Sequence, residues 1–113
     1  MKEAINLSQW AELTKNIFSV SGKRMYLNKL GLSETNYKDE INCIIKSNIY
    51  EIIQKVLLKH DRQYPLKDVL SETQTIIPDI DNALFNEVIN ERRVNVMVVG
   101  NDLKLLSVAP SNT

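Results

Sequence analysis

The sequence predicts a mostly helical α+β domain that ends in a β-hairpin. Apolar residues recur at helical spacing through most of residues 5–92, which indicates amphipathic helices. Valine and leucine then alternate with other residues on both sides of Gly100-Asn101-Asp102, a short polar segment of the kind that joins two antiparallel strands. A chain of 113 residues, 43% hydrophobic and 25% charged, has the length and composition of one globular domain.

The first third of the chain predicts two helices. Residues 5–18 have one apolar face, Asn6 or Ser8 can cap the start of this helix, and Gly22 is expected just after its end. The basic segment 23–31 predicts one or two further helical turns. The side chains expected to face inward are Leu7, Trp10, Leu13, Ile17, Phe18, Met25, Leu27 and Leu30.

Residues 41–60 form the longest segment with helical periodicity. Their apolar side chains follow a 3.6-residue repeat along one side of a helix. The polar pair Ser47-Asn48 interrupts this pattern and can cap a second helix. One long helix and two helices separated by a break are both compatible with the sequence.

The last fifty residues predict a turn, two helices and the hairpin. Residues 61–65 form the turn, because Pro65 cannot continue a helix interior. A short amphipathic helix starts at Leu66, and Asp79 is placed to cap a longer one over residues 80–93. One core is expected to contain Ile52, Val56, Leu70, Leu84, Val88 and Val96.

The alternation in the hairpin separates its side chains onto two faces. Val94, Val96 and Val98 are expected to cover the core, opposite Met97 and Val99. With Leu106, Met97 and Val99 then form an exposed apolar surface unless a partner or the N-terminal helices cover it. The sequence does not decide between these two covers.

This order of helix, short helix, turn, helix and two-stranded hairpin resembles the winged-helix family of helix-turn-helix domains. The resemblance implies three domain parts: residues 1–46 as a helical extension packed on the domain, residues 47–108 as the winged-helix core, and residues 109–113 as a flexible tail. It also implies that residues 80–92 are the recognition helix and that the hairpin is the wing.

The charges do not favour DNA reading by that recognition helix. Residues 1–60 hold nine basic and six acidic residues, whereas residues 61–113 hold five basic and eight acidic ones. Phosphate contacts require lysine and arginine, so nucleic-acid binding through the acidic half is expected to be weak. The best basic patch for nucleic acid or an acidic partner is Lys23, Arg24 and Lys29, with a possible extension through Lys55, Lys59 and Arg62.

Nothing in the sequence indicates an enzyme, a cofactor, a metal site or a small-molecule substrate. Cys43 and His60 are single residues of their types, too few for a structural zinc site, and no phosphate-binding loop is present. Cys43 is expected to be a small buried side chain. Without a signal segment, an apolar span or paired cysteines, the chain is expected to be intracellular: nuclear in a eukaryote, cytoplasmic in a bacterium or phage-infected cell.

A protein surface remains as the expected functional feature. Winged helices that resemble this segment dimerise or dock neighbours in chromatin, replication and transcription assemblies, and the resemblance implies such a non-catalytic role here. The candidate protein contacts are Met97, Val99, Leu106, Asn86 and Asn90. The alternatives are a small DNA-binding regulator of a phage, plasmid or bacterium, and a phage-encoded inhibitor protein.

Overall fold

Five helices and three short strands follow one another in the computed structural model, which describes residues 4–108. The prediction of a mostly helical α+β domain is confirmed. The helices are α1 (Leu7–Thr14), α2 (Val20–Lys29), α3 (Lys38–Lys59), α4 (Leu66–Ile76) and α5 (Asn82–Glu91). The strands are β1 (Gln63–Pro65), β2 (Val96–Val99) and β3 (Asp102–Leu105). The expected tail at 109–113 lies outside the described residues.

Helix α3 is the centre of the packing. It contacts the other four helices as well as β1 and β3. Its buried apolar side chains are Ile41, Ile44, Ile45, Ile49, Tyr50, Ile53, Val56 and Leu57. Because isoleucine and valine have modest helix propensity, the stability of α3 depends on this burial.

Ser47-Asn48 does not break α3, so one long helix is the correct alternative. The Asn48 amide donates to the Ile44 carbonyl at 2.8 Å and to the Thr14 hydroxyl at 3.2 Å. These bonds satisfy a polar side chain inside the core, which removes the reason for a break. The continuous helix spans residues 46 and 47, the boundary that the sequence suggested between the N-terminal helical extension and the winged-helix core.

The two N-terminal helices bury less apolar surface than predicted. Asn6 caps α1, accepting a hydrogen bond from the Gln9 N–H, but the helix ends at Thr14 rather than near residue 18. Ser19 caps α2, so Gly22 lies inside that helix and does not follow the end of α1. The residues predicted to face inward that are exposed instead are Leu7, Leu13, Phe18, Met25 and Leu30.

A short strand that the sequence did not predict completes the sheet. The turn is present at Asp61-Arg62, where both residues have positive φ angles of 58° and 71°. The chain then continues as β1, which pairs with β3. The sheet is antiparallel in the order β1-β3-β2, so β3 is its middle strand and β2 is an edge.

The hairpin has the predicted position. Val99 pairs with Asp102 across Gly100-Asn101, and Gly100 has a φ of +60°. Glycine at the first of two central positions suits a type II′ turn, which matches the twist of the flanking strands. On the core face Val96, Leu103 and Leu105 are buried, whereas Val98 is 50% exposed.

The predicted core is present, but three of its six expected residues are only half-buried. Val56, Val88 and Val96 are buried, while Ile52, Leu70 and Leu84 are half-buried and pack against the cluster. Val94, expected on the core face, is 82% exposed because it precedes β2 in a turn.

Asp79 has a different role from the one that the sequence suggested. Asp81 caps α5, accepting a hydrogen bond from the Leu84 N–H at 2.8 Å. The Asp79 carboxylate instead accepts hydrogen bonds from the Val20 N–H at 2.7 Å and the Ser21 N–H at 3.1 Å. Burial would raise the pKa of Asp79, but these bonds outweigh it and lower the pKa. Asp79 therefore joins the α4–α5 connection to the first turn of α2.

We expect Asp79→Asn to lower the free energy of unfolding by about 1 kcal/mol at neutral pH, since the charged cap of α2 is lost. A group with a lowered pKa stabilises the fold above its ordinary value, here 3.8, and loses this effect as the pH falls through the folded-state pKa. Urea unfolding at neutral and acidic pH should show the difference from wild type shrinking in acid. Equal stability of the two proteins at neutral pH would contradict this role.

Candidate protein-interaction surface

Apolar side chains lie exposed on the outer face of the hairpin. Met97 is 46% exposed, Val99 40% and Leu106 45%, and we call these three residues the hairpin surface. The register places Met97 opposite Lys104 and Val99 opposite Asp102, so charged side chains lie among them. The N-terminal helices, which were one of the two expected covers, leave these residues exposed in the isolated chain.

The hairpin surface adjoins an open sheet edge. β2 pairs with β3 on one side only, and no strand of residues 4–108 lies on its other side. A groove of about 280 Å³ runs along this edge beside the end of α5, lined by Ile89, Asn90, Arg93, Val96, Met97 and Val98. Val98, which the sequence assigned to the core, is therefore a further surface residue. Its direction was predicted correctly, but the helices do not cover the edge strand there.

Helix α5 presents amides and carboxylates to solvent. Asn86 and Asn90 are both exposed, as the sequence indicated. Lys46 of α3 contacts Glu87 at 3.0 Å and Glu91 at 3.2 Å. Burial would lower the pKa of Lys46, but hydrogen bonds to these two carboxylates raise it. The outer face of α5 thus has the charge opposite to that required beside phosphates.

The basic patch of residues 23–29 is not assembled on the surface. Lys23 is fully buried and contributes no surface charge, which corrects its place in the patch. Arg24 contacts Glu34 at 3.2 Å and donates to the Asn42 side chain at 3.0 Å. Of this group, only Lys29 is exposed in the last turn of α2.

The proposed extension of that patch lies in a mixed environment. Lys55 and Lys59 line a groove of about 540 Å³ between the end of α1, α3 and α4. Glu51 and Glu72 line the same groove, and Lys59 contacts Glu72 at 3.1 Å. Arg62 is exposed in the turn before β1. Lys15 also lines the groove, so three lysines face two glutamates there and the groove has no strong net charge.

His60 and Glu72 are part of a small cluster at the end of α3. The His60 Nε2 lies 2.6 Å from a Glu72 carboxylate oxygen, and the His60 and Tyr64 rings stack with centroids 3.7 Å apart. Burial is the main cause of a raised pKa for Tyr64, and the hydrogen bond with Glu72 raises this pKa further. These contacts join α3, β1 and α4. The histidine is half-buried.

The chemistry-bearing side chains elsewhere are dispersed. Cys43 is exposed rather than buried, since it lies on the outer side of α3. Within the part of the chain that the structure describes, no three His, Cys, Asp or Glu side chains are placed to hold a metal ion.

Comparisons with known proteins identify no relative. No protein-family model, curated protein or solved structure matches the chain. Across residues 4–108, no helix combines the length and the apolar character that crossing a membrane requires.

Proposed function

We propose that the chain is a non-catalytic winged-helix domain that associates with a second copy of itself through its hairpin. In this reading α3, α4 and α5 are the three helices, α5 is the recognition helix, and β2 with β3 is the wing. The order of elements supports it. Membership of a genome-associated assembly follows from the resemblance to winged helices and is part of the same proposal.

The observation that carries this proposal is the exposed apolar hairpin surface beside an open strand edge. An apolar edge strand promotes pairing with another chain unless charge, proline or a covering segment protects it. Val96–Val99 contains neither charge nor proline, and although Val96 is buried, Met97, Val98 and Val99 are exposed. A two-fold symmetric contact lets one such patch cover its own copy.

A protein partner is favoured over nucleic acid by the charges around the hairpin. The exposed face of α5 carries Glu87 and Glu91, whose carboxylates contact the single lysine Lys46. The basic residues once expected to form a patch are buried, paired with carboxylates or separated. Counterion release, the main source of non-specific DNA affinity, requires several free cations on one face.

We expect the purified chain to sediment as a dimer at high concentration and Met97→Asp to sediment as a monomer. The substitution would bury a carboxylate in an apolar contact, which should raise the dimer dissociation constant about a hundredfold or more. Met97 is not in the core, so the thermal unfolding midpoint of the diluted protein should stay close to that of wild type. Sedimentation velocity over a concentration series measures the effect.

Met25→Asp is the matched control. Met25 is 72% exposed on α2, and the same substitution there adds the same charge away from the hairpin. It should leave the dimer intact. A wild-type chain that stays monomeric at all concentrations, or a dimer that both variants weaken equally, would overturn the proposed function.

A further inference from the structure

The register of the sheet determines which backbone groups of β2 are unpaired. On β3, the Leu105 N–H donates to the Arg62 carbonyl at 2.8 Å, so the backbone N–H and carbonyl of Leu105 point towards β1. Residues of an antiparallel strand alternate between its two neighbours, so Leu103 also faces β1, while Asp102 and Lys104 face β2. Their partners on β2 are the residues on either side of Val98. The N–H and carbonyl of Val98 therefore point to the open edge.

Other backbone bonds agree with this alternation. The Leu106 N–H donates to the Asn95 carbonyl at 2.7 Å, as expected for an even-numbered residue that faces β2. The Val96 N–H donates to the Arg92 carbonyl at 3.0 Å, away from β3. Val98 thus lies at the middle of a short edge with one free donor and one free acceptor.

We propose that β2 pairs antiparallel with β2 of a second copy, about a two-fold axis at Val98, to form a six-stranded sheet. Val98 then faces Val98 of the second copy, and the two residues exchange a pair of backbone hydrogen bonds. Met97 of each copy lies beside Val99 of the other on the outer face. The proposal rests on self-association through the hairpin and specifies its geometry as strand-to-strand rather than face-to-face.

The charges along the edge indicate a second copy as the occupant. No charged residue occurs between Arg93 and Asp102, so self-pairing brings no like charges together along the strand. The antiparallel register places Arg93 of one copy at the same end of the joined strands as Asp102 of the other, and symmetry repeats this arrangement of opposite charges. Arg93 is exposed, lines the groove along the edge, and has no ion pair within residues 4–108. The Asp102 carboxylate accepts a hydrogen bond from the Gln63 amide and has no ion pair within the same residues.

Mixed disulfide crosslinking tests the register. The exposed Cys43 is first removed by Cys43→Ser, and two chains of different mass carry Met97→Cys and Val99→Cys. Residues 97 and 99 of opposite copies would form a non-hydrogen-bonded pair with Cα atoms about 4.5 Å apart, within disulfide range. With oxidised glutathione, the mixed dimer should exceed either homodimer by at least about tenfold, because same-residue pairs lie on the longer diagonal. A Met25→Cys chain mixed with the Val99→Cys chain is the control and should not crosslink.

Amide exchange provides a second measurement on the unmodified chain. The Val98 N–H should become protected from hydrogen exchange as concentration rises and should lose protection on dilution, while the Met97 and Val99 amides stay protected by β3 throughout. Equal crosslinking of all three combinations, or a Val98 amide that exchanges fast in a dimer that Met97→Asp dissociates, would overturn strand pairing and leave the proposed function standing. A chain that is monomeric at every concentration would overturn both.

Discussion

Leu103→Ala should lower the free energy of unfolding by about 2–5 kcal/mol, the range for removing a fully buried leucine side chain. Leu103 is fully buried on the middle strand, with Tyr64 opposite it on β1 and Val98 opposite it on β2. Shortening a side chain that has neighbours on both adjacent strands leaves a cavity, because strand pairing holds those neighbours in place. Urea unfolding followed by circular dichroism measures the loss.

Leu106→Ala is the matched control on the same hairpin. Leu106 is 45% exposed, so at a dilution where the chain is monomeric the same truncation should cost less than about 0.5 kcal/mol. The two variants together separate the core face of the hairpin from its outer face. If Leu103→Ala cost no more than Leu106→Ala, the hairpin would not be packed on α3 as described.

The periodic segments of the sequence predicted the helices and the hairpin because a buried face leaves a repeat of 3.6 or 2 residues. Strand β1 leaves no such signal. It has only three residues, Gln63, Tyr64 and Pro65, and forms because the turn at Asp61-Arg62 carries the chain alongside β3. A strand defined by its tertiary partner cannot be predicted from local alternation.

Apolar spacing was a poor guide to burial in the N-terminal helices. Met25, Leu27 and Leu30 have the spacing of an inward face, yet only Leu27 among them is buried, and the other buried residue of α2 is Lys23. The spacing shows which residues share a face of a helix. It does not show how much of that face a neighbour reaches, and α3 reaches only a narrow part of α2.

The candidate site on the hairpin was predicted only in part, because alternation shows which face a side chain is on and not how far that face is covered. Alternation correctly placed Met97 and Val99 on the outer face of the hairpin, where both are exposed. The same alternation assigned Val98 to the core. Val98 does lie on the core face of the hairpin, but its side chain is 50% exposed. Strand order decides this point: β3 lies in the middle of the sheet because β1 pairs with it, which leaves β2 at the edge. Both strands of the predicted two-stranded hairpin have an open edge, and the sequence could not show that β1 would close the one on β3 and leave the one on β2.

Lys23 is the largest departure from the sequence prediction, since a lysine expected in a surface patch is fully buried. Its ammonium donates to the Thr14 carbonyl at 2.8 Å and to the Asn48 side-chain oxygen at 3.1 Å. These bonds connect α2 to the end of α1 and to the middle of α3. Burial lowers the pKa of Lys23 to about 8, although the negative charge of Glu51 partly opposes the shift.

We expect Lys23 to contribute a rise of about 2 kcal/mol to the free energy of unfolding between pH 8 and pH 10, at a limiting slope of about 1.4 kcal/mol per pH unit. In this range the folded chain releases the Lys23 proton near pH 8, whereas the unfolded chain keeps it up to the ordinary lysine value of 10.5. The unfolded state then binds more protons, so a rise in pH favours folding. The neutral amine still has two N–H groups for its two acceptors.

Lys23→Met should abolish this rise, because methionine fills a similar volume and binds no proton. Lys29→Met, which changes an exposed lysine of the same helix, should keep it. Lys46, Tyr50 and Tyr64 have raised pKa values, but all three proteins contain them, so their effects cancel when each profile is compared with that of Lys23→Met. Urea unfolding of the three proteins at several pH values is the measurement. Parallel profiles for wild type and Lys23→Met would show that the buried lysine keeps its charge, and that Thr14 and Asn48 stabilise the ammonium enough to offset its burial.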